Sequence, residues 1–216
     1  MVRILDRSGQ VVLEFAGELR DAPLRGVFLE EPVFAGLDLS GMDLCSAFLV
    51  AADFRGANLR GATLNSAAMD DADLRHADLS DAVAQGISLM DANLQEATLE
   101  RTDLYWGMLH GANCRRANFQ DAQLLGANLT GAVFDGASFR NARVSWDNLR
   151  GEAMLVRTSL VGARFDGADL QGANFDGARL EGATYSTATL FPDSFDPVAH
   201  GMVLRFRAKS ESGCCL

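Results

Sequence analysis

The chain of 216 residues has only 4 prolines, 4 cysteines and 3 histidines, and no long hydrophobic run. Each shortage excludes something. With no stretch near 18 apolar residues, no membrane span is expected. The opening MVRILDRSGQ lacks the apolar core of a signal peptide, so the sequence reads as cytoplasmic, with no membrane partner. The cysteines form no CxxC pair: Cys114 sits in a slot that reads as buried, Cys45 is isolated, and Cys214 and Cys215 lie in the tail. Neither a disulfide framework nor a metal site follows. His76, His110 and His200 share no ligand spacing, and no GxSxG, P-loop or dinucleotide fingerprint occurs. The expectation is a protein that is not an enzyme and needs no cofactor. Scarce proline beside 48% hydrophobic residues also argues against disorder.

What is abundant is a repeat. In residues 163–185, ARFDGADLQGANFDGARLEGATY, alanine recurs every fifth residue, a large apolar residue follows two places later, and glycine two places after that. A period of five matches neither the helix nor the strand, and repeats take precedence over any domain assignment. We call the large apolar slot i. Slots in steps of five from Leu19 to Leu149, then from Leu155 to Phe195, give 36 repeats; leucine or phenylalanine fills 31 of them, and alanine fills 25 of the i−2 positions. The one change of frame lies in LRGEAML (149–155), where Glu152 reads as a single inserted residue and no long loop is expected between coils. Sixteen of the 21 glycines fall at i+2 and mark repeated corners. A segment this short, with two residues turned inward and three outward, implies a solenoid whose i residues stack from coil to coil.

These residues carry a resemblance. ADFRG (52–56), ANLRG (57–61), ADLRH (72–76), ADLSD (77–81), ANLQE (92–96), ANFQD (117–121), ANLTG (127–131), ADLQG (168–172) and ANFDG (173–177) resemble the A(D/N)LXX motif of the pentapeptide-repeat proteins. The resemblance implies an all-β fold: a right-handed quadrilateral β-helix of about nine coils, with four pentapeptides per coil. Phe54, Leu74, Leu94, Cys114 and Phe134, spaced by twenty, then form one inward column, while Asp53 and Asp73 point to solvent. Residues 1–16 read as an N-terminal hairpin cap turning at Ser8-Gly9, residues 17–197 as the β-helix, and 198–216 as a C-terminal cap with a mobile tail. The degraded repeat of 17–42 suggests wider or less regular coils there. Asp196–Ala199 could open a short helix, and VLRFR (203–207) a strand or a homodimer contact. Ala84 and Ile87 exchange the usual large and small residues and roughly conserve volume.

Charge gives the first functional reading. Residues 38–100 hold eleven acidic residues against three basic ones, out of a net charge of −10, whereas 101–160 is net basic. Asp53 shares a column with Asp73, and Asp71 with Asp91. An acidic rod repels nucleic acid and attracts basic clefts. Some pentapeptide-repeat proteins are DNA mimics that bind DNA gyrase or topoisomerase IV and protect it from a drug or toxin; the resemblance implies such a partner for Asp53, Asp71, Asp73 and Asp91, without direct nucleic acid binding. Against this stands a bland reading, in which the aspartates are simply the D of the motif. A second functional reading is a scaffold or adaptor. Trp106 and Trp146 are two coils of twenty apart with Gly126 between them, and Tyr105, Met108 and Leu125 lie beside them in outward slots. Phe28 and Phe48 form another outward column, which the hairpin would cover.

Overall fold

The backbone turns a corner in every pentapeptide. At Phe54 the carbonyl accepts a hydrogen bond from the Ala57 N–H at 2.9 Å, and Gly56 between them has φ +63°. A three-residue closure with positive φ at the third position is the signature of a type II turn, which favours glycine there. The same left-handed conformation occurs at i+2 even where the residue is Asp71, His76, Asp91, Arg101 or Trp106. The aspartate or asparagine at i−1 supports the corner from outside. Asn58 Oδ1 accepts from the Arg60 N–H at 3.1 Å, and Asn93 Oδ1 from the Gln95 N–H at 3.2 Å. These short side chains satisfy the backbone two residues on, which accounts for the D/N of the motif.

The protein is described here from a computed structural model that covers residues 1–144, 158–175 and 177–205. Between corners lie three extended residues that pair in parallel with those twenty later: Asp73 N–H donates to the Ala52 carbonyl and Phe54 N–H to the Asp73 carbonyl, at 2.9 and 2.8 Å. Four such ladders run along the chain, starting at Phe28, Val33, Asp38 and Asp43. We number the corresponding faces 1 to 4. A step of twenty across four ladders means four pentapeptides per coil, and the step is already twenty at Phe28↔Phe48, so the degraded repeats near the start are not wider.

The i residues fill the interior. Phe54, Leu74, Leu94, Cys114 and Phe134 are all fully buried in one column. Rings stack where phenylalanines meet, Phe34 on Phe54 with centroids 4.9 Å apart and Phe134 on Phe165 at 5.3 Å. Ala84 and Ile87 are both fully buried. Ile87 has a further accommodation one coil on, at Gly107, where an added Cβ would lie 3.1 Å from both the Leu104 carbonyl oxygen and Leu109 Cδ1 and 3.6 Å from Ile87 Cγ2.

Among the described residues two steps exceed twenty, and both correct the sequence reading. Asn128 pairs with Ser159, Val133 with Arg164, Ser138 with Asp169 and Arg143 with Asn174, each a step of 31. Eleven residues more than one coil, not one, therefore separate the paired positions, and Glu152 and the slots assigned to Leu149 and Leu155 lie outside the described residues. Eleven is two pentapeptides and one residue, which is why the insertion looks like a one-residue slip. Thr158 rejoins the break: its hydroxyl donates to the Leu124 carbonyl (3.0 Å) and also bonds the Val144 carbonyl, while the Gly126 N–H donates to it (3.1 Å). The second departure is Asp169↔Leu190, a step of 21. Leu190 is 49% exposed, and Phe191 rather than Leu190 packs on the core. Thr189 does there what Thr158 does above, bonding the Phe165 carbonyl and the Gly167 N–H.

The ends are closed by separate devices. Strands β1 (Val2–Leu5) and β2 (Val11–Phe15) form an antiparallel hairpin, its turn held by Asp6 Oδ1, which accepts from the Ser8 and Gln10 N–H groups. Ile4 is buried in the core, and the Val33 N–H donates to the Leu5 carbonyl, so the hairpin docks on the edge of the first coil. It does not cover Phe28 and Phe48, which remain 69% and 52% exposed. At the other end β3 (Thr184–Tyr185) pairs in parallel with β4 (Val203–Leu204) within the same chain. Residues 197–201 make a turn where a short helix was expected, capped by Asp196 Oδ1. Phe175, Tyr185, Phe191, Phe195 and His200 stack over this end. The expected tail, with Cys214 and Cys215, lies outside the described residues.

Leu94→Ala removes a buried side chain from the middle of the column and is expected to cost about 2–5 kcal/mol in urea unfolding; a loss below about 0.5 kcal/mol would contradict its burial. Thr158→Val keeps the shape and removes the hydroxyl, leaving the Gly126 N–H without its partner. The expected cost is about 1–3 kcal/mol, and no loss would mean that this hydroxyl does not hold the rejoined coil.

Candidate protein-interaction surface

The ladder places outward residues twenty apart next to each other, which decides the fate of each acidic group. Asp53 and Asp73 do share a column on face 2, but neither points freely to solvent. Asp53 is only 5% exposed. The Arg55 guanidinium donates to it through two nitrogens, at 2.8 and 2.5 Å, and Arg75 holds Asp73 in the same way at 2.8 and 2.6 Å. Arg55 Nε also lies 3.8 Å from Asp73, which relieves the repulsion of two stacked carboxylates. The hydrogen bond from Arg55 holds the Asp53 carboxyl below its usual range despite burial. Burial raises that of Asp73, but the bonds from Arg75 outweigh it. The spacing D-x-R in ADFRG and ADLRH was the signal for both pairs.

The net basic segment neutralises acid in the preceding coils. Arg101 Nε donates to Asp81 at 2.6 Å and Arg116 lies 3.1 Å from Glu96, while Arg60 of the acidic segment itself reaches forward to Asp81 at 2.6 Å. Arg25 donates to Asp43, whose carboxyl is held down to about 2 by the Cys45 N–H first and Arg25 second.

Among the described residues Asp38, Asp78, Asp103 and Asp121 have no ion pair, and at one corner such carboxylates cluster. Between faces 1 and 2 the corner positions of the first coils carry Glu30, Glu31, Asp70, Asp71 and Asp91 and no arginine; much farther on, the same corner carries Glu181, which Arg179 meets at 3.7 Å. Among the described residues no cation pairs with any of the five. Asp70 is tied to the Ser88 hydroxyl and the Met90 N–H. Asp71 and Asp91 are exposed at left-handed corners. The Asp91 carboxylate lies along the corner against Gly111, where a Cβ would come within 2.1 Å of Oδ1. The run is broken by Val50 and Ala51 and ends at His110. Sequence reasoning missed Glu30, Glu31 and Asp70; adding twenty to each corner position would have found them.

The aromatic edge is only partly assembled. Tyr105 and Trp106 pack against each other, centroids 5.6 Å apart, and Trp106 and Met108 are about half exposed. Leu125 is buried instead of outward. Trp146 lies outside the described residues. Because the ladder steps by 31 after Val144, the arithmetic that put Trp146 two coils above Trp106 does not hold. Among the described residues no group of three or more His, Cys, Asp or Glu could hold a metal, and no helix is long and apolar enough to cross a membrane.

The pairing on face 2 has a pH consequence. A carboxyl whose folded pKa is depressed contributes stability above its unfolded value, near 3.8, and loses it as pH falls through the lower folded value. The melting temperature of the wild type is expected to decline below about pH 4, and that of Asp53→Asn with Asp73→Asn to decline less steeply. Parallel curves for the two proteins would contradict the pairing.

Comparison with known proteins follows the same architecture. A sequence model described as pentapeptide repeats matches in 8 copies over residues 38–75, 67–104, 109–151 and 152–184. Two trypsin-treated variants of QnrB1, a plasmid-mediated fluoroquinolone resistance protein, superpose with TM-scores of 0.53 and 0.56. Each is 20% identical, with 85% of this chain and 84% of its own covered. A pentapeptide repeat protein from the Arabidopsis thaliana thylakoid lumen is 33% identical over 46% of this chain and 69% of its own, with a TM-score of 0.45. No curated protein sequence matches. At this identity the likeness to QnrB1 is one of fold.

Proposed function

The chain belongs to the pentapeptide-repeat family, and we propose that it acts without catalysis, as a cytoplasmic protein-binding rod whose acidic corner enters the DNA-binding cleft of a bacterial type II topoisomerase. The observation that carries this reading is the corner of Glu30, Glu31, Asp70, Asp71 and Asp91, whose charge no arginine cancels. A line of carboxylates on a rigid β-helix offers a basic cleft what a DNA backbone offers, negative charge at fixed spacing, and complementary charge speeds encounter. The target class comes from the topoisomerase-directed members that the repeat resembles. QnrB1, a fluoroquinolone resistance protein, is consistent with it in fold. The eleven extra residues between Val144 and Thr158 also favour it, because some members of that subgroup carry a loop between coils. Right-handed winding is part of the same reading.

Asp53 and Asp73 have no part in binding on this account, since their charge is already met by Arg55 and Arg75. The test is a supercoiling assay with purified gyrase or topoisomerase IV, with and without drug, together with a binding titration at two salt concentrations. The wild type should bind and protect. Asp71→Asn with Asp91→Asn should weaken binding and flatten its salt dependence. Unchanged affinity in the double variant would return these aspartates to motif usage, and no binding of the wild type to either enzyme would remove the target.

A further inference from the structure

Face 1 differs from the other three in its chemistry. Its central column reads Phe28, Phe48, Ala68, Ser88, Met108, Asn128, and its first charge is Arg179. Two exposed apolar ridges stand on it. One is Phe48 with Val50, and Phe28 packs against Phe48 with ring centroids 5.9 Å apart. The other is Met108 with Trp106. Between the ridges the floor is made of Ala68 and Ser88. Ser88 is almost fully buried, its hydroxyl turned to Asp70, so the floor is flat and offers no free donor.

Three ladder steps separate Phe48 from Met108, about 14 Å at the spacing of paired strands. An α-helix with its side chains is about 10–12 Å across. Centre to centre the ridges therefore stand a little more than one helix diameter apart, which seats the apolar stripe of a helix laid across the rod on the floor between them. The two mouths of this depression differ. One opens on Asn65, Ser66, Gln85 and Gly86, which carry no charge. The other opens on Asp70, Asp71 and Asp91. We infer that face 1 binds an amphipathic helix of a protein partner, its apolar stripe between the Phe48 and Met108 ridges and its lysine or arginine residues gathered at the end over Asp71 and Asp91. Helix-in-groove recognition works through such apolar anchors, and the charge at one mouth sets the direction in which the helix lies. The inference rests on the reading of the protein as a binding module but not on a topoisomerase as its target.

The test uses the full chain and a fluorescent model peptide of leucine, alanine and lysine, about three helical turns long, with leucines on one face and lysines at one end. A scrambled peptide of the same composition is the control. The patterned peptide should bind at least about tenfold more tightly than the scrambled one by anisotropy. Ala68→Arg, which obstructs the floor, and Phe48→Ala, which removes a ridge, should each abolish that preference without lowering the melting temperature, because both side chains point outward. Equal binding of the two peptides would overturn the inference, as would a preference that survives both substitutions. Sedimentation gives the other occupant: a wild-type dimer that Ala68→Arg dissociates would assign the face to a second copy of this chain, and the inference would fall. The gyrase assay reads separately, since its failure removes that target and leaves the peptide result standing.

Discussion

The structure depends on the corner: a residue in the left-handed region at every fifth position, closed by a hydrogen bond from the next small residue back to the carbonyl of the large one. It sets the length of each side, and the side length sets the coil. Once four corners make a turn of twenty residues, the i−1 and i backbone N–H groups of each straight segment meet carbonyls on the neighbouring coils, and the i side chains are driven into a single interior stack. Alanine is the commonest residue at i−2, where its methyl group is buried beside the large residue. Asparagine or aspartate at i−1 fits because its oxygen reaches the backbone N–H at the start of the turn. The motif A(D/N)LXX is thus a corner written in sequence, with its XX the turn itself.

The same geometry governs the surface. Residues twenty apart become neighbours, so charge in one part of the chain is read by charge a coil away. Arg101 meets Asp81 and Arg116 meets Glu96 in this way, while Arg55 and Arg75 close locally on Asp53 and Asp73. Exposed pairs of this kind contribute little to stability, but they decide which acid is available to a partner. One corner is left with a cluster of carboxylates that no cation meets, and beside it lies one face whose central column carries no charge from Phe28 to Ser159. Both candidate surfaces follow from the column register, not from local sequence.

That distinction explains how much was legible. The interior column of Phe54, Leu74, Leu94, Cys114 and Phe134 was visible because a buried stack repeats its residue type with the period of the fold. The family followed from the same letters. The insertion after Val144 was not visible, because its eleven residues place Leu149, Gly151 and Leu155 where two more repeats and one slip would have them. Leu190 misled for a similar reason: Phe191, next to it, is the residue that turns inward. The four aspartates chosen from charge alone divided into two kinds. Asp71 and Asp91 lie at an exposed corner, whereas Asp53 and Asp73 are bound by arginines two residues away, a local spacing that could have been read.

The most direct test of the account is a deletion. Removing residues 145–155 shortens the long step from 31 to twenty and joins Val144 to Thr158 through Val156 and Arg157, a normal two-residue corner. If the coil is four pentapeptides and these eleven residues lie outside the ladder, the shortened protein should fold with a β-helix spectrum and a melting temperature within a few degrees of the wild type. If instead Leu149 and Leu155 were core slots and Glu152 the only insertion, the deletion would remove core residues and shift the register. The shortened chain would then fail to fold, or melt far below the wild type, and the account of the coil would be wrong.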